Sequence, residues 1–130
     1  MARWRILVVD DEPINLEIIG AMLDDPGFVV SNAANGEIAW QAMLATGLPP
    51  HLLVLDRMMP VLDGIGLLKR IKADSRFSGI PVIMQSAAAS SGEIAEGVAA
   101  GAWYYLPKPC APRDLLAIVQ AALAEVEARE

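Results

Sequence analysis

A single cysteine, Cys110, and a single histidine, His51, stand in a chain of 130 residues, and each scarcity closes off a class of chemistry. One thiol cannot form an intramolecular disulfide, so a disulfide-stapled secreted fold is excluded and a reducing cytoplasm is the expected setting. One imidazole, in the polar approach Pro49-Pro50-His51, provides no Ser-His-Asp set, and it reads as an exposed loop residue. Basic residues are also few, 10 against 16 acidic ones, for a net charge of −6. Without clustered Lys and Arg there is no footprint for a phosphate backbone, so direct nucleic-acid binding is not expected. No apolar run approaches the ~18 residues of a membrane span. The opening Met1-Ala2-Arg3-Trp4-Arg5 followed by Ile6–Val9 imitates a secretory leader, but Asp10-Asp11-Glu12 ends the run and no cleavage-like site follows. Repeats, linkers and low-complexity tracts are missing as well, and one domain over 1–130, with its core at about 5–126, is expected.

What is present is apolar residues in short, regularly spaced blocks. The hydrophobic fraction of 55% includes many alanines, yet with 3 Trp, 2 Tyr and 2 Phe it suffices for a filled core. Ile6–Val9, too short for a helix and ended by acids, predicts a buried strand. Pro13 suits a first helical position, and Ile14, Ile18 and Met22 recur at helical spacing up to Leu23. Asp24-Asp25-Pro26-Gly27 is turn chemistry before a second strand at Phe28–Ser31. Asn35-Gly36 opens a second helix, with Ile38, Ala42 and Ala45 on one face and Gly47 as a stop. Then follow strands at Leu52–Leu55, Ile80–Met84 and Trp103–Leu106, and helices at Gly64–Lys72, Ser91–Ala100 and Pro112–Val126. Five repeats of strand then helix predict an α/β fold, a parallel sheet with helices on both faces.

In such sheets ligands bind beyond the carboxyl ends of the strands, where the winding reverses. Those ends carry Asp10-Asp11, Asp56, Gln85-Ser86 and Lys108. Two carboxylates about 5 Å apart repel by roughly 3 kcal/mol at an effective dielectric near 20. Either one keeps a proton or a cation sits among them. Lys108 can neutralise one charge of three, and an oxygen-only ligand set suits Mg²⁺. Asp11 alone would be read as a cap for the following helix. Three carboxylates, the Ser86 hydroxyl and the Lys108 ammonium at the right strand ends point instead to a site. Gly64-Ile65-Gly66 resembles half of a dinucleotide fingerprint, but it lacks the third Gly and lies too far past its strand. A carboxylate at a strand tip beside a cation and a Lys is equipped to accept a phosphoryl group as aspartyl phosphate.

Asp10-Asp11-Glu12, the run Asp56-Arg57-Met58-Met59-Pro60-Val61-Leu62-Asp63-Gly64, Gln85-Ser86-Ala87 and Tyr105-Leu106-Pro107-Lys108-Pro109 together resemble the receiver domain of two-component response regulators. The resemblance covers about residues 5–126. It implies a flavodoxin-like, doubly wound three-layer sandwich with strand order 2-1-3-4-5. It implies Asp56 as phosphoacceptor, with Asp10, Asp11, Asp56 and the backbone carbonyl of Met58 as Mg²⁺ ligands. Ser86 would hydrogen-bond the phosphoryl group and Lys108 would pair with it. Tyr105 stands at the family's switch position, turning inward as Ser86 moves, with plain core packing beside Trp103 and Tyr104 as the lesser alternative. The implied partners are a sensor histidine kinase or phosphotransfer protein, and a downstream protein reached through the fourth helix, fifth strand and fifth helix, a face that could also dimerise. With only Glu127–Glu130 after the last helix, output through a partner protein is expected.

Several positions depart from the family's commonest pattern. Pro107 removes an N–H from the expected edge strand, Cys110 replaces a bulky apolar residue and reads as an inert thiol, and Arg57 is charged where an apolar residue is common and reads as solvated. Met58 and Ala88 offer no polar group to place a hydrolytic water, which implies a long-lived phosphorylated form. Competing classes are an aspartyl-phosphate phosphohydrolase, which usually carries Asp where Met58 stands, and a phosphorylation-independent interaction module, which typically lacks the acids or the Lys. A flavin-binding relative of the fold is disfavoured, because Asp10-Asp11-Glu12 would repel a cofactor phosphate.

Overall fold

A computed structural model describes residues 3–129 of the chain. Ten elements alternate: β1 (Trp4–Val9), α1 (Pro13–Met22), β2 (Phe28–Ala33), α2 (Gly36–Ala45), β3 (Leu52–Asp56), α3 (Gly64–Ala73), β4 (Val82–Ser86), α4 (Ser91–Ala99), β5 (Tyr104–Pro107) and α5 (Pro112–Arg129). All strand pairs are parallel and their order is β2-β1-β3-β4-β5, as the resemblance implies. The chain winds outward in opposite directions from β1, so the reversal falls between β1 and β3.

The inner strands β1, β3 and β4 are largely buried on both faces, with alternate residues serving two cores. Leu7, Val9, Leu53, Leu55, Val82 and Met84 pack with residues of α2 and α3. Ile6, Val8, Leu52, Val54, Ile83 and Leu106 pack with α1 and α5. Helix starts carry local signals: Pro13 sits in the first turn of α1, the side chain of Asn35 accepts from Ile38 N–H at the start of α2, and that of Asp63 accepts from Gly66 N–H at the start of α3.

Some sequence readings shift. The fourth strand begins at Val82 rather than Ile80, because Pro81 has no N–H to donate to the ladder. The stripe of Ile14 and Ile18 on α1 faces out, 61% and 46% exposed, while Ile19 and Leu23 are buried. Ile38 of α2 is likewise 51% exposed, with Ala39 and Met43 turned to the core. Both helices are apolar on more than one side, so spacing alone does not select the inner face. His51 is not a plain loop residue either. Its Nδ1 accepts from Arg5 N–H at 2.9 Å, and its ring meets Trp4 edge-on at 5.0 Å, which fixes the entry to β3 against β1.

Candidate functional site

The chemistry lies on the sheet itself. Asp10 follows the last residue of β1 and Asp56 is the last residue of β3; the register Val9↔Leu55 places the two side by side. Ser86 closes β4, and Lys108 follows β5 with the register Ser86↔Pro107. Backbone bonding continues past the strands: Asp10 N–H donates to the Ala33 carbonyl at 3.1 Å, Arg57 N–H to Gln85 at 3.0 Å and Lys108 N–H to Ser86 at 3.0 Å. The functional side chains are thereby held by ladder hydrogen bonds instead of free loops, which gives the precision such a site requires.

Asp10 and Ser86 are fully buried and Asp56 is 8% exposed. Carboxylate oxygens of Asp10, Asp11 and Asp56 all lie within 4.8 Å of one another. Lys108 Nζ reaches both buried acids, 3.3 Å from Asp10 Oδ2 and 3.2 Å from Asp56 Oδ1. Burial pushes the Asp56 carboxyl above the ordinary carboxylate range; Lys108 pulls against it, Asp10 adds to it, and the Met58 N–H donates to the carboxylate. Burial also works to lower the Lys108 ammonium, but Asp56 and Asp10 outweigh it and hold it above its ordinary value. One ammonium among three carboxylates leaves an anionic surplus. Hard oxygen donors in that surplus suit a small divalent cation, so the donor set fits Mg²⁺.

Asp11 does not act as a helix cap. The N-cap of α1 is Glu12, which makes no side-chain capping bond, and Glu12 N–H instead donates to Asp10 Oδ1 at 2.9 Å. Asp10 is thereby oriented by its own turn. On the other side of the cleft, the loop from β3 folds back so closely that a Cβ on Gly64 would lie 2.5 Å from the Asp56 carbonyl oxygen and 2.7 Å from Arg57 Cα. Only glycine fits there. The Lys108–Pro109 peptide is cis.

Tyr105 is buried in the core, with its hydroxyl bonded to the β4–α4 loop: it donates to the Ala88 carbonyl and accepts from Arg57 Nη1 at 3.2 Å. Arg57 is therefore not solvated. Its side chain is 11% exposed, Nη1 donates to the Glu93 carbonyl of α4 at 2.8 Å, and Nη2 pairs with the Glu96 carboxylate. Gly97 carried a hint of the close approach of Tyr105, because an interior helix glycine needs a reason. A Cβ there would lie 2.6 Å from the Tyr105 ring. Cys110 is half-buried, and burial first, then Asp114, pushes its thiol pKa up, in keeping with an unreactive side chain.

The description of the response regulator receiver domain matches residues 6–120. The chain belongs to the response regulator receiver family. Among curated proteins it is 40% identical to response regulator Rre1 of Synechocystis, over 95% of this chain and 53% of that one. It is 36% identical to the DNA-binding response regulator MtrA of Mycolicibacterium smegmatis, over 96% of this chain and 53% of that one. This receiver thus spans about half the length of the curated relatives it matches. Among solved structures, the receiver domain of sensor histidine kinase PA1611 from Pseudomonas aeruginosa superimposes with a TM-score of 0.84 at 31% identity, covering 95% of this chain and 99% of that one. That neighbour carries a magnesium ion coordinated in its active-site cleft. The receiver family is one of signalling proteins whose role is to accept a phosphoryl group, and no helix among the described residues is long and apolar enough to cross a membrane.

Proposed function

We propose that Asp56 is the phosphoacceptor of this receiver. Its carboxylate would take a phosphoryl group from a histidine kinase or phosphotransfer protein, and the change would be read on α4, β5 and α5 by a downstream protein. The observation that carries the reading is the convergence of Asp10, Asp11, Asp56 and Lys108 at the end of the sheet where the winding reverses. Asp10, Asp11, Asp56 and the Met58 carbonyl would hold Mg²⁺, which when bound neutralises phosphoryl oxygens. Lys108, held within 3.3 Å of both buried acids, would pair with the remaining anionic oxygens. Ser86 would donate its hydroxyl proton to the phosphoryl group while its Oγ accepts from Ala88 N–H at 2.9 Å. Arg57 N–H, bonded to Gln85, keeps the backbone of Asp56 fixed as the carboxylate attacks. The charge and donors are pre-placed, so little reorganisation accompanies the transfer.

Met58, 65% exposed, and Ala88 flank the site without a polar group to orient water, which supports slow loss of the phosphoryl group. The phosphohydrolase alternative would need a second carboxylate where Met58 stands, and nothing at the site replaces it.

Incubation with Mg²⁺ and a small acyl-phosphate donor, followed by intact mass measurement, tests the proposal. One phosphoryl adduct is expected on the native chain and none on Asp56→Asn; an adduct on that variant, or none on the native chain, overturns it. In the same assay the adduct should decay faster in a Met58→Asn/Ala88→Glu double variant, and equal or slower decay would remove the claim of a long lifetime.

A further inference from the structure

Arg57 is chain-adjacent to Asp56, and its guanidinium ends in a different part of the molecule. It is nearly buried, with three partners: the Glu93 carbonyl, the Glu96 carboxylate and the Tyr105 hydroxyl. The guanidinium also lies 5.9 Å from the centroid of the Tyr105 ring. A second connection returns to the site from the same hydroxyl. Tyr105 donates to the Ala88 carbonyl, and Ala88 N–H donates to Ser86 Oγ at 2.9 Å. Arg57, Tyr105, Ala88 and Ser86 are thus linked in series, and the circuit closes through Gln85, chain-adjacent to Ser86, whose carbonyl accepts from Arg57 N–H at 3.0 Å; α4 hangs on it at Arg57.

We propose that Arg57 is a positioning residue for phosphoryl acceptance, holding α4 and Tyr105 so that Ala88 and Ser86 are set for the phosphoryl group on Asp56. The inference rests on the reading of Asp56 as phosphoacceptor. A planar guanidinium suits the task, because it can serve a carbonyl, a carboxylate and a hydroxyl together in fixed directions. Alternatives for the tyrosine are restricted on its other side by α4, where Gly97 leaves room for the ring and nothing more. The carboxylate of Glu93 is engaged at the helix start, where it accepts from Ser90 N–H, so Glu96 is the ion partner. If the circuit favours the arrangement that binds a phosphoryl group, linkage requires that breaking it weaken that binding.

Beryllofluoride with Mg²⁺ serves as the probe, a trigonal anion standing in for the phosphoryl group, and its affinity is measured for the native chain, Arg57→Met, Glu96→Gln, Tyr105→Phe and the Arg57→Met/Tyr105→Phe pair. Arg57→Met should bind the probe about five-fold or more weakly, within the usual range of coupling between linked sites. Glu96→Gln, at a side chain 59% exposed and safe for folding, should show a smaller loss. The double variant should lose little more than either single variant, because both substitutions open the same circuit. Affinity for Mg²⁺ alone should be unchanged throughout, which a general loosening of the fold would not allow. The two tyrosine signals in ¹³C-tyrosine spectra should show the Tyr105 ring released in Arg57→Met. Unaltered probe affinity in both Arg57→Met and Glu96→Gln, or losses that multiply in the double variant, overturns the role of Arg57 while leaving Asp56 as acceptor. A native chain that binds no probe overturns both.

Discussion

Val61 has a backbone φ of 70°, a left-handed conformation that β-branched residues rarely adopt. It lies in the loop that must return from β3 to Gly64 against the Asp56 carbonyl, so the close approach forces the turn. The side chain is 82% exposed and contributes little packing to offset the strain. Replacing it by Asn, which tolerates this conformation, should stabilise the protein by about 1 kcal/mol, read as a higher urea midpoint at unchanged slope. An unchanged or lower midpoint would show the strain to be absent. At this scale Asp10, Asp11, Asp56, Ser86 and Lys108 were legible before any coordinates, because a residue that ends a parallel strand has its direction set by the sheet. Arg57 was not. Its partner Glu93 lies 36 positions away on a helix whose rotation the chain's periodicity does not specify.

Among the elements, α4 depends most on its ends. It is nine residues long and includes Gly92 and Gly97, which lower its intrinsic helicity. Ser90 offsets this with a capping box: its hydroxyl accepts from Glu93 N–H and the Glu93 carboxylate accepts from Ser90 N–H. Ser90→Ala should cost about 1 kcal/mol. The loss should appear first as faster amide exchange in residues 91–99, with β1, β3 and β4 protected as before. Uniformly faster exchange across the sheet would contradict a local effect. The contrast with α1 and α2 is instructive. On α3, Leu67, Leu68 and Ile71 are buried as a pattern reading expects, because its outer face carries the exposed Lys69 and Arg70. On α1 the exposed Ile14 and Ile18 compete with the buried Ile19 and Leu23, and the apolar pattern has two solutions.

Over the whole molecule, the acidic surplus of six charges has a local component. Three acids share one cleft with one ammonium, so the folded chain holds anionic repulsion that the unfolded chain does not. Mg²⁺ at about ten times its dissociation constant should therefore stabilise the fold by about 1.4 kcal/mol through mass action. Thermal unfolding should show a rise of about 4 °C, reversed by a chelator and largely lost in Asp11→Asn. An equal rise in that variant would place the ion elsewhere.

The order of strands and helices, the family and the set of groups gathered at one sheet edge were determined by the linear sequence. Parallel strands joined by helical crossovers bring all their carboxyl ends to one edge, so the Asp, Ser and Lys at those ends meet there, and the order of the strands followed from the family resemblance. Other properties were decided only in three dimensions: which side of α1 and α2 faces the core, the bond between His51 and Arg5, and the enclosure of Arg57 and Tyr105 by α4. Each depends on how one element is rotated against another, and that rotation follows from the close packing of all the side chains together.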